Sequence, residues 1–428
     1  MKKKFFVAGV SILIFLLWAI YAQQNKPSKE ALSPPSIPGR WHESRQNVKS
    51  DEHQEAYEKL IGLGYLDGYK TATGSEGVTI HNKKTAYNGL NFLVSGHAPE
   101  AHLMDMEGTI LHSWNYKKAT DIWKHTPATD PGGHYWRRVH LYKNGDILAI
   151  YEGLGMIKLD KNSNLIWAYT SPRAPHHDME VLNNGNIYTL TREMKKLPHI
   201  SSENVMEEFI TILSPDGKLI NEYSFIDLIE NSAYARMLRN DTFIKDGGFY
   251  GHILHTNTIE VFDGSLAHIS PLFKKGNILT SILINHTICI IDLEIGQVVW
   301  ALGSGMWRNQ HQPTLLPSGT LLIFDNKDEE SKSAIKEVDP FSQKIVWEYR
   351  GTATNPFYSE TCGSNQRLPN GNTLITETDN GRAFEVTPNG MIVWEYINTY
   401  RGGKNKELIG SLFEMLRINP EKIDLTEN

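Results

Sequence analysis

The feature that most constrains this 428-residue chain is a repeat. Trp300, Trp347 and Trp394 follow one another at steps of 47 residues, and the last two sit in the same Ile-Val-Trp-Glu-Tyr run. A glycine turn stands upstream of each: Lys275-Gly276-Asn277, Pro317-Ser318-Gly319 and Pro369-Asn370-Gly371-Asn372. The same order returns at Lys143-Asn144-Gly145-Asp146, closing at Trp167-Ala168-Tyr169, and at Asn183-Asn184-Gly185-Asn186, closing at Tyr223. A first unit ends at Trp114. Asn-Gly turns between apolar runs are hairpin signals. A period of roughly forty to fifty residues with four strands in each is that of a propeller blade. Six closing strands therefore predict an all-β, six-bladed β-propeller over residues 88–400. In that architecture the inner strands of all blades converge on one axis.

The flanks read differently. Met1-Lys2-Lys3-Lys4 precedes an uncharged apolar run from Phe5 to Ala22, which fits either a signal peptide or a single membrane anchor. Bulky Ile20 at the −3 position of a cut after Ala22 favours the uncleaved anchor helix, with the lysines left in the cytoplasm. Residues 1–25 are thus expected to be leader or anchor. Residues 26–51, rich in Pro, Ser, Gln and Lys, form a linker. A short N-terminal segment, 52–87, carries a helical pattern at Tyr57, Leu60, Ile61 and Leu63. The body is then expected outside the cytoplasm, in the periplasm, held to the inner membrane by residues 5–22. In the tail, 401–428, the spacing of Leu408, Leu412, Met415 and Leu416 predicts a short C-terminal helix. Two insertions interrupt the repeat: a helical excursion from Phe225 to Asp246, and an enlarged turn from Asp263 to Phe273. A net charge of −6 without a basic stripe argues against a nucleic-acid partner. The two cysteines, Cys289 and Cys362, read as separate buried thiols.

Counting back eight residues from the turn glycines gives the candidate site. Gly319 leads to His311, Gly185 to His177 and Gly145 to Arg137, while Gly371 leads to Gly363 between Cys362 and Ser364. His255, in His255-Thr256-Asn257-Thr258, opens the corresponding strand of the fourth blade. Three histidines and an arginine from four blades are therefore expected at one channel mouth. Such a set suits transfer of an anionic group. One neutral imidazole is the nucleophile, a second is the acid or base, and cationic or N–H donors hold the developing charge. Three histidines also suit a metal ion. Asp178 falls on the opposite strand face from His177, so no metal and no cofactor is expected, and the metal-dependent enzyme stays as an alternative. His134, His140, His176 and His252 are read as structural. Hydrolase triads, phosphate-cradling glycine loops and metal-binding cysteine clusters are absent from the sequence.

These stretches resemble the arylsulfotransferase family of exported bacterial propellers. The matching segments are HHDMEVLNNGNIYTL, HTNTIEVFD, QHQPTLLPSGTLLIFDN, KEVDPFSQKIVWEYRG and QRLPNGNTLITETDNGRAFEVTPNGMIVWEY. The excursion DLIENSAYARMLRN is similar to the family's insert, and the resemblance runs from about Asn88 to Tyr400. It implies transfer of a sulfuryl group from a phenolic sulfate ester to a phenol acceptor through a sulfohistidine, with no phosphoadenosyl donor. It also implies His311 as the nucleophile, with His177 and His255 steadying the sulfuryl oxygens and protonating the leaving phenolate. Asn257 of the HTN segment would contact the substrate. One position departs from the pattern: Leu283, in Thr280-Ser281-Ile282-Leu283-Ile284-Asn285, stands where the family carries an arginine. Loss of such a donor costs about 3–4 kcal/mol of transition-state stabilisation. Arg137, or Arg308 three residues before His311, would have to replace it. Without a replacement, the expectation becomes a non-catalytic binding or scaffold propeller, since this fold hosts many functions.

Overall fold

The computed structural model describes residues 70–124, 135–202, 204–238, 251–303 and 305–425. Within them, six antiparallel sheets of four or five strands are numbered here as blades I to VI, and a two-stranded pair joins Arg401–Gly402 to Leu408–Ile409. Blades II to V are each built from four consecutive strands. Their inner strands are Arg138–Leu141, Ala174–Val181, Thr256–Val261 and His311–Leu315. Blade VI begins with Ser364–Arg367 and gains a fifth, outermost strand, Gly77–His81, paired with Ile392–Ile397. Second strands such as Ile147–Tyr151 and Ile278–Ile282 are buried along their length, because both their faces lie against neighbouring blades. Outer strands such as Ile345–Arg350 leave most side chains in water.

Blade I explains the tail. Leu90–Ser95, Glu100–Met104 and Ile110–Asn115 supply only three strands, and the edge of Leu90–Ser95 would face the channel unpaired. Leu412–Ile418 fills that place, pairing antiparallel from Leu90↔Ile418 to Ser95↔Leu412. The C-terminal helix expected from the spacing of Leu408, Leu412, Met415 and Leu416 is therefore corrected to strands, Leu408–Ile409 and Leu412–Ile418. Residues buried on both faces of an inner strand mimic helical spacing over one or two turns. The open edge decides the outcome, because its N–H and C=O groups need partners.

The repeated tryptophans join blades. Trp114 Nε1 donates to the Gly145 carbonyl of blade II (2.9 Å), and Trp347 Nε1 to the Pro388 carbonyl of blade VI (2.8 Å). Trp394 Nε1 donates across the closure to the Met106 carbonyl of blade I (3.0 Å). The inner strands are stitched in a similar way. Asp178 Oδ2 accepts from the Ile259 N–H (3.0 Å), Glu260 Oε2 from the Leu315 N–H (2.9 Å), and Gln366 Oε1 from the Arg417 N–H (2.8 Å). Each side chain thereby covers part of the next blade's exposed edge.

The excursion after blade III contains a helix, Phe225–Glu230, capped by Ser224, and a 3-10 turn, Ala235–Leu238. Phe225, Ile226, Leu228 and Ile229 of the helix pack into the core shared by blades III and IV. The enlarged turn of blade IV holds a 3-10 turn, Pro271–Phe273. Cys289 and Cys362 are buried and unpaired with each other. The run from Phe5 to Ala22 and the expected helix near Tyr57 lie outside the described residues. Among the described residues no helix is long and apolar enough to cross a membrane.

Candidate active site

The inner strands of blades III, IV and V share a device at their starts. Each breaks register with its neighbour there, between Thr189 and Leu190, Thr256 and Thr258, and His311 and Thr314. At or beside these bulges His177 (φ 51°), His255 (φ 55°) and Gln312 (φ 45°) take left-handed backbone, as does Cys362 (φ 53°) before the blade VI strand. Such conformations cost of order 1–3 kcal/mol each in non-glycine residues and gather at functional sites. Bulges re-aim side chains. Here they bring the histidines of separate blades together.

The rings meet. His177 packs edge-on against His255 with centroids 4.9 Å apart, and His255 lies 4.9 Å from His252. His176 Nδ1 is 2.9 Å from His177 Nδ1. Two of the four histidines read as structural, His176 and His252, thus pack against the cluster. Around it stand four ionisable side chains. Glu152 follows the second strand of blade II and lies 3.4 Å from His177 Nδ1, 3.6 Å from Arg137 Nε and 3.5 Å from Arg192 Nη2. Glu208 lies 3.6 Å from His252 Nδ1 and accepts from the Thr256 N–H (2.8 Å). Arg137 also places Nη2 3.4 Å from Cys362 Sγ and its guanidinium 5.0 Å from the Phe413 ring centre.

His311 is oriented by acceptors only. Its Nδ1 is 2.9 Å from the Asn309 carbonyl and 2.8 Å from Asn326 Oδ1. The Asn326 amide cannot be turned round, because its Nδ2 donates to the Ser359 and Cys362 carbonyls (2.9 and 2.7 Å). Two acceptors at Nδ1 place the proton there and leave the lone pair on Nε2. Burial holds His311 down to about 4, against the two hydrogen bonds and with help from the Arg137 charge. Burial likewise holds His177 and His255 well below the ordinary histidine range, with Arg137 next in effect at His177 and His252 at His255. Burial and then Arg192 push His252 down to about 3. At neutral pH the cluster is a set of uncharged imidazoles beside two guanidiniums.

The other expected contacts fall elsewhere. Asn257 donates to the Gln310 carbonyl (3.0 Å) and accepts from the Thr258 hydroxyl (3.0 Å), which fixes the turn leading into His311. Arg308 turns to the Lys327 carbonyl (2.8 Å). Leu283 is partly buried, and its N–H donates to the His255 carbonyl (3.2 Å). Arg138 spans the axis, bonding Asp178 (2.9 Å), Gln312 (2.7 Å) and Glu414 from three other blades. It lines an axial cavity of about 610 Å³ together with Glu180 and Glu260. Sequence reasoning missed Glu152, Arg192, Glu208 and Asn326. A charged or amide residue ending an apolar run, as in Tyr151-Glu152 and Phe324-Asp325-Asn326, was the available signal.

The sequence profile of the arylsulfotransferase (ASST) family matches residues 138–399, more than half of the chain, including His176, His177, His252, His255 and His311. The chain belongs to the arylsulfotransferase family. No curated protein matches it. Among solved structures, a Bacteroides caccae protein of unknown function is 14% identical, with 77% of this chain and 98% of that chain covered and a TM-score of 0.49. A streptogramin B lyase is 15% identical over 81% of this chain and 95% of its own, with a TM-score of 0.43. The virginiamycin B lyase of Staphylococcus aureus is 14% identical over 82% and 98%, with a TM-score of 0.42. The family membership makes this arylsulfotransferase relative a candidate transferase. Its architecture stands on its own strand order.

Proposed function

We propose that this protein transfers a sulfuryl group from a phenolic sulfate ester to a phenol acceptor, with His311 as the nucleophile. The observation that carries the reading is the pair of acceptors on His311 Nδ1, which leaves Nε2 unprotonated in a buried, uncharged ring. Nε2 attacks sulfur, the S–O bond to the phenol breaks, and a sulfohistidine remains. Positive charge arising on the ring is met at Nδ1–H by the Asn309 carbonyl and the Asn326 amide oxygen. The ester is an anion, and it enters a cluster whose imidazoles are held neutral by burial and by Arg137 and Arg192. Its charge favours protonation of His177 or His255, which then donates to the departing phenolate. Arg137 is the guanidinium that supports the transferred oxygens, in the role left open by Leu283. A phenol acceptor reverses these steps. The position of Arg137 beside the cluster favours this reading over a scaffold propeller, since a preorganised cation is retained where charge develops.

We also infer an extracytoplasmic location with the chain held at the membrane by residues 5–22, as the lysine-flanked apolar run supports. Protease treatment of spheroplasts that spares the propeller while degrading a periplasmic marker would count against it.

The experiment for the chemistry is a burst assay on the full-length chain with a chromogenic aryl sulfate. A burst of free phenol, faster turnover on adding a phenol acceptor, and loss of both in His311→Ala are expected. Full activity in folded His311→Ala would remove His311 as nucleophile. Folded wild-type protein that turns over no aryl sulfate would leave the binding propeller.

A further inference from the structure

A second constellation lies in blade I, outside the histidine cluster. The turn after Leu90–Ser95 carries His97, and the next strand, Glu100–Met104, carries Glu100 and His102. Glu100 and His102 are two residues apart on one strand, so they project from the same face. His97 returns from the turn onto that face. Its Nε2 is 2.5 Å from Glu100 Oε1, and His102 Nε2 is 3.2 Å from the same oxygen. One ligand atom from each of the three residues lies within 4.8 Å of the others. The Tyr400 hydroxyl is 2.7 Å from His102 Nε2, and the His97 and Tyr400 rings stack.

We propose that His97, Glu100 and His102 form a zinc site that clamps the closure of the propeller ring. Two imidazoles and a carboxylate are a borderline-soft set that suits zinc, whereas calcium and magnesium prefer all-oxygen ligands. The Tyr400 hydroxyl or a water completes four-coordination. His102 has its second nitrogen already fixed, with Nδ1 2.8 Å from the Ser113 hydroxyl, which aims Nε2 at the shared point. That arrangement is the outer-shell support usual for metal-bound histidine. Two imidazole nitrogens now hydrogen-bonded to a single carboxylate oxygen become, once their protons are released, donors to one cation at the same point.

The place gives the site its role. Tyr400 belongs to the segment that leaves blade VI and leads to Leu412–Ile418, the inner strand of blade I. Asn398 in that segment already bonds the Ser95 hydroxyl (2.9 Å) and the Gly410 carbonyl (2.8 Å). A metal ion held by His97, Glu100 and His102 beside Tyr400 would add a link at the point where the chain's last strand joins its first blade. Binding to the folded ring alone stabilises it by mass action.

The test uses full-length, untagged protein stripped with a chelator and then titrated with zinc. One zinc per chain, a rise in Tm on loading, and an intense visible spectrum of tetrahedral type on cobalt loading are expected. A His97→Ala/His102→Ala variant should lose at least tenfold in zinc retention and show no zinc-dependent rise in Tm. Ser113→Ala should weaken retention about tenfold through the second nitrogen of His102. Zinc that is not retained by wild-type protein, or is retained equally by the double variant, overturns the proposal. If the double variant does not fold, Glu100→Gln with the cobalt spectrum as readout decides, an unchanged spectrum counting against the site.

Discussion

Asn326 Oδ1 lies 2.8 Å from His311 Nδ1, and both side chains are buried. The amide is held at its other end by two carbonyls of the segment leading into blade VI, Ser359 and Cys362. Asn326 is thus a positioning residue that connects the orientation of the blade V histidine to the neighbouring blade. Removing it frees the ring and leaves one acceptor, the Asn309 carbonyl. Asn326→Ala should lower kcat by about 10²-fold while changing KM little, as expected when geometry at the reacting atom is lost and substrate binding is not. An unchanged kcat in folded protein would show that Asn309 alone orients the ring.

The pH profile follows from the same ring. His311 must be unprotonated to attack, and burial holds it at about 4 in the free protein, below an ordinary histidine. Protonation therefore disables it only as pH falls through that value. The limb of kcat/KM for an aryl sulfate that belongs to the nucleophile should have its midpoint near 4. Protonation of His177 or His255, both held below the ordinary histidine range, should raise kcat/KM as pH falls from 7 towards it. In the bound complex the ester's negative charge favours imidazolium, so the acid limb of kcat should lie at higher pH than that of kcat/KM. A limb of kcat/KM at an ordinary histidine value would place the nucleophile in a solvated setting that the structure does not have.

Arg137 and Arg308 were alternative replacements for the arginine displaced by Leu283, and their surroundings now differ. Arg137 meets Glu152 at 3.6 Å and its charge acts on both His177 and His311, whereas Arg308 Nε bonds the Lys327 carbonyl. Arg137→Gln should lower kcat by about two to three orders of magnitude, the scale for losing a donor to developing charge. Arg308→Gln should lose much less. A larger loss at Arg308 would assign the role the other way.

The repeat made the blades legible, because turn glycines and closing tryptophans recur wherever a hairpin ends and one blade meets the next. The histidine positions were legible for the same reason: a fixed distance from the turn fixes depth along the inner strand. What the repeat does not encode is side-chain company from the second strands and their turns. Glu152, Arg192 and Asn326 enter the site from there, where no common spacing from the glycine marks them. His176 and His252, read as structural, stand against the rings of His177 and His255, company that a count along the chain does not register. The tail was misread for a different reason. Leu412–Ile418 owes its form to an open edge more than 300 residues away in sequence, on Leu90–Ser95.

The axial carboxyls predict a stability effect of unusual sign. Burial raises Glu260 to about 8 and Glu180 to about 7, although each accepts a backbone N–H from the next blade. A carboxyl whose folded value lies above its unfolded value of 4.5 keeps its proton while the unfolded chain has already lost it. The fold therefore loses stability as pH rises from 4.5 to about 8, and little more is lost to Glu260 above that. The loss is on the order of 1.4 kcal/mol for each pH unit of the window. Glu260→Gln keeps an oxygen for the Leu315 N–H and has no proton to lose. Its stability relative to wild type should improve steadily from pH 5 to pH 8 and then level off, and a Glu180→Gln/Glu260→Gln pair should widen the gap. Denaturant unfolding of both proteins across that range is the measurement. A difference between variant and wild type that does not change with pH would mean that Glu260 ionises in the fold as readily as in the unfolded chain.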